Sequence, residues 1–456
     1  MGDMEHNLTE GSVIGNIGKF SLPYLLSYFL QTLYGMADLF IIGQFEGTAG
    51  TTAVSIGSQI MHMLTVMIVG LAMGSTVGIA HAVGAGDNKR ATENVGNTVT
   101  LFMGLSVVMT TLLLMIVDPI ISIVSTPNEA VEGTRAYLMI CFVGIPFITA
   151  YNIIASIFRG LGDSKSPMYF IAVACAANIA LDYLFMGAMH MGAAGAALGT
   201  TLSQAISVGI SLVVIMRKKT GMKLKGNDFK PKKDVMGQLL RVGVPVALQD
   251  GLIQVSFMVI TVIANKRGLV DSAAVGIVEK VISFVFLVPS SMLSTVSALC
   301  AQNIGAGKHD RAVKTLKYAI MIAVGFGLVV GIIVQFTAES IVGLFSMDGD
   351  VMIKGGQYLR GYIWDCMLAG IHFSMSGYFC AYGRSEISFI QNIAAIIAVR
   401  IPGAYLMSNM FPQTLFPMGM ATAVGSFMSD VISVVALVLL KRRGRVGAEA
   451  RMRTSC

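Results

Sequence analysis

The chain has 456 residues, of which 55% are hydrophobic and only 12% charged, with a formal charge of +7. Soluble domains carry about 25% charged residues, and a soluble fold of this length has no way to hide so much apolar surface. Composition therefore excludes an ordinary soluble enzyme and points to lipid. The 50 Gly and 31 Met agree, since small residues let membrane helices approach closely and Met is an adaptable lining for a variable cavity.

Residues 1–12 are polar and acidic, and the first apolar run is too long for the core of a secretory signal. A spanning helix needs roughly 20 mainly apolar residues. Twelve runs qualify, in chain order 15–43, 53–80, 94–123, 134–158, 166–187, 192–216, 238–265, 273–300, 312–338, 352–381, 386–410 and 416–440. The expected fold is an all-α polytopic membrane protein. Its parts are an N-terminal six-helix lobe (1–216), a basic, flexible cytoplasmic linker (217–237), a C-terminal six-helix lobe (238–440) and a basic cytoplasmic tail (441–456).

Of the 32 Lys and Arg, 25 fall on one side of these runs and five on the other. By the positive-inside rule both termini are cytoplasmic. The bias also accounts for the basic pI of about 9.0 without nucleic acid as a partner; the charge anchors topology and meets anionic lipid heads. The six cysteines (Cys141, Cys175, Cys300, Cys366, Cys380 and Cys456) form no CxxC pair and read as small buried hydrophobes.

The two halves match at an offset of 221. VGAGDNKRA at 83–91 meets IGAGKHDRA at 304–312, Tyr137-Leu138 meets Tyr358-Leu359, and Gly162 and Ser164 meet Gly383 and Ser385. Pro23 pairs with Pro245 at 222. One offset held over so many residues marks a duplication. Six spans per half place the expected pseudo-twofold axis along the membrane normal, a layout that transporters use for alternating access. The GAG loops lack a P-loop pattern, and HExxH and paired CxxC motifs are absent. ATP-driven pumping, metalloenzyme chemistry and enzymatic activity in general are not expected, nor is a cofactor.

Six acids lie inside the runs: Asp38, Asp182, Asp250, Glu279, Asp365 and Asp430. Each costs about 2.5–3.5 kcal/mol at the middle of a membrane helix unless it faces protein or water. Such a group takes up a proton, or among other oxygens holds a hard cation such as Na⁺. Asn178 and Asp182 are four apart and share a helix face. The hairpin near residue 190 brings Thr200 to the depth of Asp182, and Asp38 also lies in the outer half. The repeat partners of Asp38 and Asp182 are Val259 or Ile260 and Gly403, so the second half lacks this pair. Asp250 is the expected partner of Lys280. Asp365, beside the only tryptophan, Trp364, is expected near an outer rim. Arg400 is expected to be neutralised in a structural role. Asp430 is the weakest candidate, and His62, His81 and His372 read as packing groups.

These motifs taken together resemble the multidrug and toxic compound extrusion (MATE) family over nearly the whole chain. They include the GAG loops, AD-x-F-x-x-G at 37–43, FRGLGDSKSP at 158–167, N-x-x-x-DYLF at 178–185 and GAALGTT at 195–201. The chain looks closer to the DinF-like branch. The resemblance implies export of small organic, often cationic, compounds in exchange for H⁺ or Na⁺, from a bacterial inner membrane, by a monomer. By motif position it implies a cation site at Asp38, Asn178, Asp182 and Thr200, with Asn152 as a further member although it lies nearer the cytoplasm by depth. It also implies a bend in the first span at Pro23. Asp250, Glu279 and Asp365 are secondary candidates in the C-terminal lobe. The alternatives are a flippase for a lipid-linked precursor, which would need a basic cleft, and a non-transporting receptor. Six buried acids against two buried bases favour a cationic cargo.

Overall fold

The computed structural model describes residues 7–217 and 224–442; the N-terminal six residues, 218–223 and most of the basic tail lie outside them. Within those bounds the chain is helical. The helices are α1 (Val13–Phe45), α2 (Thr48–Gly84), α3 (Asn88–Met115), α4 (Val117–Ile123), α5 (Val131–Gly160), α6 (Lys165–Asp182) and α7 (Gly192–Arg217). They continue as α8 (Lys233–Asn265), α9 (Leu269–Val285), α10 (Leu287–Gly305), α11 (His309–Gly343), α12 (Gly349–Tyr362), α13 (Trp364–Ala381), α14 (Ser385–Ala395), α15 (Ile401–Met410) and α16 (Phe416–Arg442). Two π-helical segments, Tyr183–Ala188 and Ile396–Arg400, continue α6 and join α14 to α15.

Every apolar run falls on a helix, but several are interrupted. The run 94–123 breaks at Ile116 and 273–300 at Phe286. In both cases a proline, Pro119 or Pro289, follows three residues later. Proline lacks the N–H that would continue the helix, and sits without cost only in a first turn. Pro402, two residues after Arg400, does the same to the π segment that ends there. Ile68 stands 221 residues before Pro289, and α2 runs unbroken. The run 352–381 is split at Ile363 into α12 and α13. Eleven helical stretches among the described residues are individually long and apolar enough to span, and this divided tenth run makes the difference from twelve.

The chain forms two compact units, the first of residues 22–243 and the second of 8–21 with the chain from Val244 on. In the first, α5 packs against α2, α3 and α7, with a core of Ile41, Tyr137, Leu138, Phe142 and Ile145. In the second, α13 packs against α10, α11 and α16, and α12 against α16. The approach is close because glycines face backbone: a Cβ on Gly419 would collide with the carbonyl of Tyr358, and one on Gly361 with that of Phe416. The outward faces stay apolar, with Met115, Ile123 and Phe336 each at least three-quarters exposed, as a lipid-facing surface requires.

The offset of 221 recurs in the backbone. Thr48 and Leu269 open helices, as do Asn88 and His309. Gly86 and Gly307 both adopt a left-handed φ, +70° and +72°, as do Gly162 and Gly383. A side chain is strained in that region, so these GAG and GDS/GRS turns retain glycine.

The stretch 217–237, read from sequence as flexible, is tied down over its described part. Asn97 on α3 donates to the carbonyl of Asp228 (3.1 Å) and accepts from the Lys232 amide (2.7 Å). Thr100 donates to the carbonyl of Phe229 (2.7 Å). Lys232 pairs with Glu93 and Asp234 with Arg90, both at 2.7 Å. The Arg90 guanidinium holds the Asp234 carboxyl below the usual carboxylate range. Side chains of α3 thus take up the polar backbone groups of a segment that has no helical partner of its own.

Gly419→Val should cost about 1–3 kcal/mol by overpacking, visible as a lower thermal midpoint of detergent-solubilised protein. Gly104→Val, where a Cβ meets open space, should leave the midpoint unchanged.

Candidate functional site

The first unit gathers four polar side chains, three of them with almost no access to solvent and the fourth, Thr200, partly exposed. Asp38 on α1 is 2% exposed, Asn178 on α6 1%, and Asp182 at the end of α6 0%. Thr200 on α7 donates to Asp38 Oδ2 at 3.2 Å. The carboxyl groups of Asp38 and Asp182 lie within hydrogen-bonding reach of each other, with Asn178 alongside. Neither acid forms a salt bridge with any described residue. Asp38 Oδ1, both carboxyl oxygens of Asp182 and the side-chain amide of Asn178 have no other hydrogen-bond partner. Two acids in contact, with no base beside them, cannot both stay anionic away from water.

Local structure explains how they meet. Asn178 and Asp182 are one turn apart on α6, and the π segment Tyr183–Ala188 begins directly after Asp182. Single π turns often mark functional sites because they re-aim the residues beside them. A Cβ on Gly199 would collide with Asp182 Oδ1, so the glycine next to Thr200 makes room for the carboxyl group. Tyr34, one turn before Asp38 on α1, is a further neighbour. The sequence reading missed Gly199 and Tyr34. The i, i+4 spacing of Tyr34 from Asp38 was the available signal.

Asn152 stands apart from this cluster. Its Nδ2 donates to the Ile148 carbonyl at 2.8 Å, and it faces a cavity of about 10 Å³, the room of one water, lined also by Tyr24, Ser27, Gln31 and Arg159. The Arg159 guanidinium sits over the Tyr24 ring at 4.4 Å, next to Pro23, which lies inside α1.

In the second unit the acids have other company. Asp365 is fully buried; Arg400 Nη2 reaches its Oδ2 at 3.2 Å and the Tyr362 hydroxyl at 2.8 Å. Arg400 also lies over Phe257, at 5.2 Å to the ring centroid. Glu279 accepts from Thr261 (3.1 Å) and feels the charge of Arg400. Lys280 is exposed, and neither it nor Asp250 forms a salt bridge with a described residue, so the expected Asp250–Lys280 pair does not form. The five described cysteines are free and buried. No cluster of metal-ligating side chains occurs among the described residues.

A membrane protein of two helical units with a base-free acid pair buried in one of them is the class this architecture defines. The MatE family model matches residues 23–184 and again 245–406, and the chain belongs to that family. The two matches begin 222 residues apart, at Pro23 and Pro245. The chain is 27% identical over 440 residues to the probable multidrug resistance protein YpnP of Bacillus subtilis, covering 96% of this chain and 97% of that one. It is 25% identical over 426 residues to the multidrug export protein MepA of Staphylococcus haemolyticus, covering 93% and 94%. Its fold matches a multidrug resistance MATE family transporter of the MOP superfamily in an outward-facing conformation, with TM-score 0.87 at 22% identity over 98% of this chain and 97% of that chain. It also matches a MOP superfamily transporter from Pyrococcus furiosus, with TM-score 0.86 at 23% identity and the same coverages.

Removing one partner of a buried ion pair strands the other, at about 3–5 kcal/mol. Arg400→Met should therefore lower the thermal midpoint sharply, and Arg400→Met with Asp365→Leu should recover most of the loss. Additive losses in that double-mutant cycle would count against the pairing.

Proposed function

We propose that this chain is a secondary active multidrug exporter, releasing organic, often cationic, compounds in exchange for H⁺ or Na⁺ taken up at Asp38 and Asp182. The observation that carries this reading is the approach of these two acids to within hydrogen-bonding reach, buried with Asn178 and joined by Thr200, without a base. Such a pair gains or loses one positive charge at little structural cost, which is what ion coupling requires. The multidrug names of the relatives over almost their whole length support the cargo class.

In the proposed cycle the pair takes up the cation from outside. Thr200 and Asn178 then reorient their hydrogen bonds around the neutralised carboxyls. Inward movement of one charge through a potential of about 100 mV supplies about 2.3 kcal/mol. The change is passed along α1, where Pro23 lies 15 residues before Asp38 and leaves the Lys19 carbonyl without its helical donor. Proline is where a helix bends most readily, and Ser27 Oγ already donates back to the Pro23 carbonyl at 2.9 Å. Fold matches include MATE structures in straight and in bent conformations, in keeping with a bend at this point. The distribution of Lys and Arg supports a cytoplasmic position for both termini.

The test is efflux of ethidium from cells expressing the chain, with pH and Na⁺ gradients imposed separately. Wild type should export under one gradient, and Asp38→Asn and Asp182→Asn at matched expression should each lose at least about tenfold in rate, the equivalent of 1.4 kcal/mol. Export that survives both substitutions would remove the coupling site from this pair. No export under either gradient would turn attention to lipid-linked cargo.

A further inference from the structure

The second unit holds a titratable pair that the coupling scheme does not use. His372 lies on α13, seven residues and two turns beyond Asp365, and its Nδ1 faces Asp430 Oδ1 on α16 at 3.4 Å. The two residues are 3% and 6% exposed. His372 Nδ1 and both carboxyl oxygens of Asp430 are buried without a well-formed hydrogen bond, and the ion-pair contact at 3.4 Å is the polar approach that joins them. The edge of the Phe373 ring closes against the imidazole, with centroids 4.9 Å apart.

The surroundings decide which buried group can change charge. Arg400 is permanently charged and holds Asp365, so that pair is fixed. Asp365 is the other charged side chain acting on Asp430, and Arg400 already offsets it. Glu279 on α9 lies with Arg400, and Tyr358 and Tyr362 on α12 complete that group. Elsewhere α10 brings only the Cys300 thiol. On α11, Glu339 is taken by Arg360, and on α14, Glu386 is taken by Arg384; Tyr405 on α15 is half exposed. That leaves imidazole and carboxyl to settle their protons between themselves. One proton makes the pair neutral overall, a second makes it cationic, and its loss leaves a bare carboxylate far from water.

We propose that His372 and Asp430 form a second proton-binding site, built between α13 and α16 of the second unit and separate from the acid pair of the first. Sequence alone does not join the two residues, which are 58 positions apart: His372 reads as a packing group and Asp430 as the weakest of the six acids. The site answers to pH whether or not the first pair carries H⁺ or Na⁺. It gives the second unit a charge to gain or lose during the cycle.

The test is nitrogen NMR of ¹⁵N-histidine-labelled full-length protein in lipid nanodiscs, with the His372 signal assigned by its loss in His372→Gln. Spectra taken at about pH 6 and about pH 8 bracket the range over which histidine can switch, and in wild type the His372 ring signal should differ between them. In Asp430→Asn the ring should be neutral at both. A neutral ring throughout in wild type would overturn the proposal, as would a ring charged at both pH values or one indifferent to Asp430→Asn. This spectrum is read without any transport, so it stands apart from the fate of the coupling scheme. In ethidium efflux, His372→Gln should flatten the dependence on pH by several-fold. A mere pin between helices would lower yield and thermal midpoint while leaving the pH profile of the remaining efflux unchanged, and that result would also count against the site.

Discussion

Two carboxyl groups buried within hydrogen-bonding reach of each other set the terms for the rest of this molecule. Asp38 and Asp182 cost free energy wherever they are anionic together, and the fold does nothing to relieve that cost with a base. It supplies instead a hydroxyl from Thr200, an amide from Asn178 and, at Gly199, the space for an oxygen. Three helices converge to make this arrangement, and one of them, α1, also contains Pro23. The base-free acid pair thus shares a helix with a proline, where an α-helix lacks one of its hydrogen bonds.

The second unit resolves the same problem in the opposite way. Its buried acids sit beside bases: Asp365 with Arg400, Asp430 with His372. The Arg400 pair is permanent and contributes rigidity where α12, α13 and the π segment meet. Positions that match by repeat thus carry different chemistry. Gly403 stands where the first half has Asp182, and it packs against Ala421. The acids named from sequence as secondary coupling candidates divide accordingly. Asp365 is neutralised, Glu279 is engaged by Thr261 and the field of Arg400, and Asp250 remains without an ion-pair partner among the described residues.

Much of this was legible in the sequence because the signals were local. Apolar runs of spanning length give helices directly, and the i, i+4 spacing of Asn178 and Asp182 with the depth of Thr200 across a hairpin is enough to assemble the cluster. What escaped was set by non-local or backbone partners. Arg400 finds Asp365 35 residues away, a pairing that no local spacing announces. The basic stretch before α8 reads as flexible because its acceptors are backbone carbonyls held by Asn97 and Thr100, which no side-chain pattern announces. The helix breaks at Ile116 and Phe286 were readable in principle from Pro119 and Pro289, but hydropathy alone runs straight through them.

Infrared difference spectroscopy of the purified protein in lipid tests the central claim most directly, because it observes the carboxyl groups themselves. On raising pH or adding Na⁺, wild type should lose a protonated-carboxyl band equivalent to one group, a change absent from both Asp38→Asn and Asp182→Asn. A spectrum in which no carboxyl changes state under either condition, or in which the change persists in both variants, would contradict it.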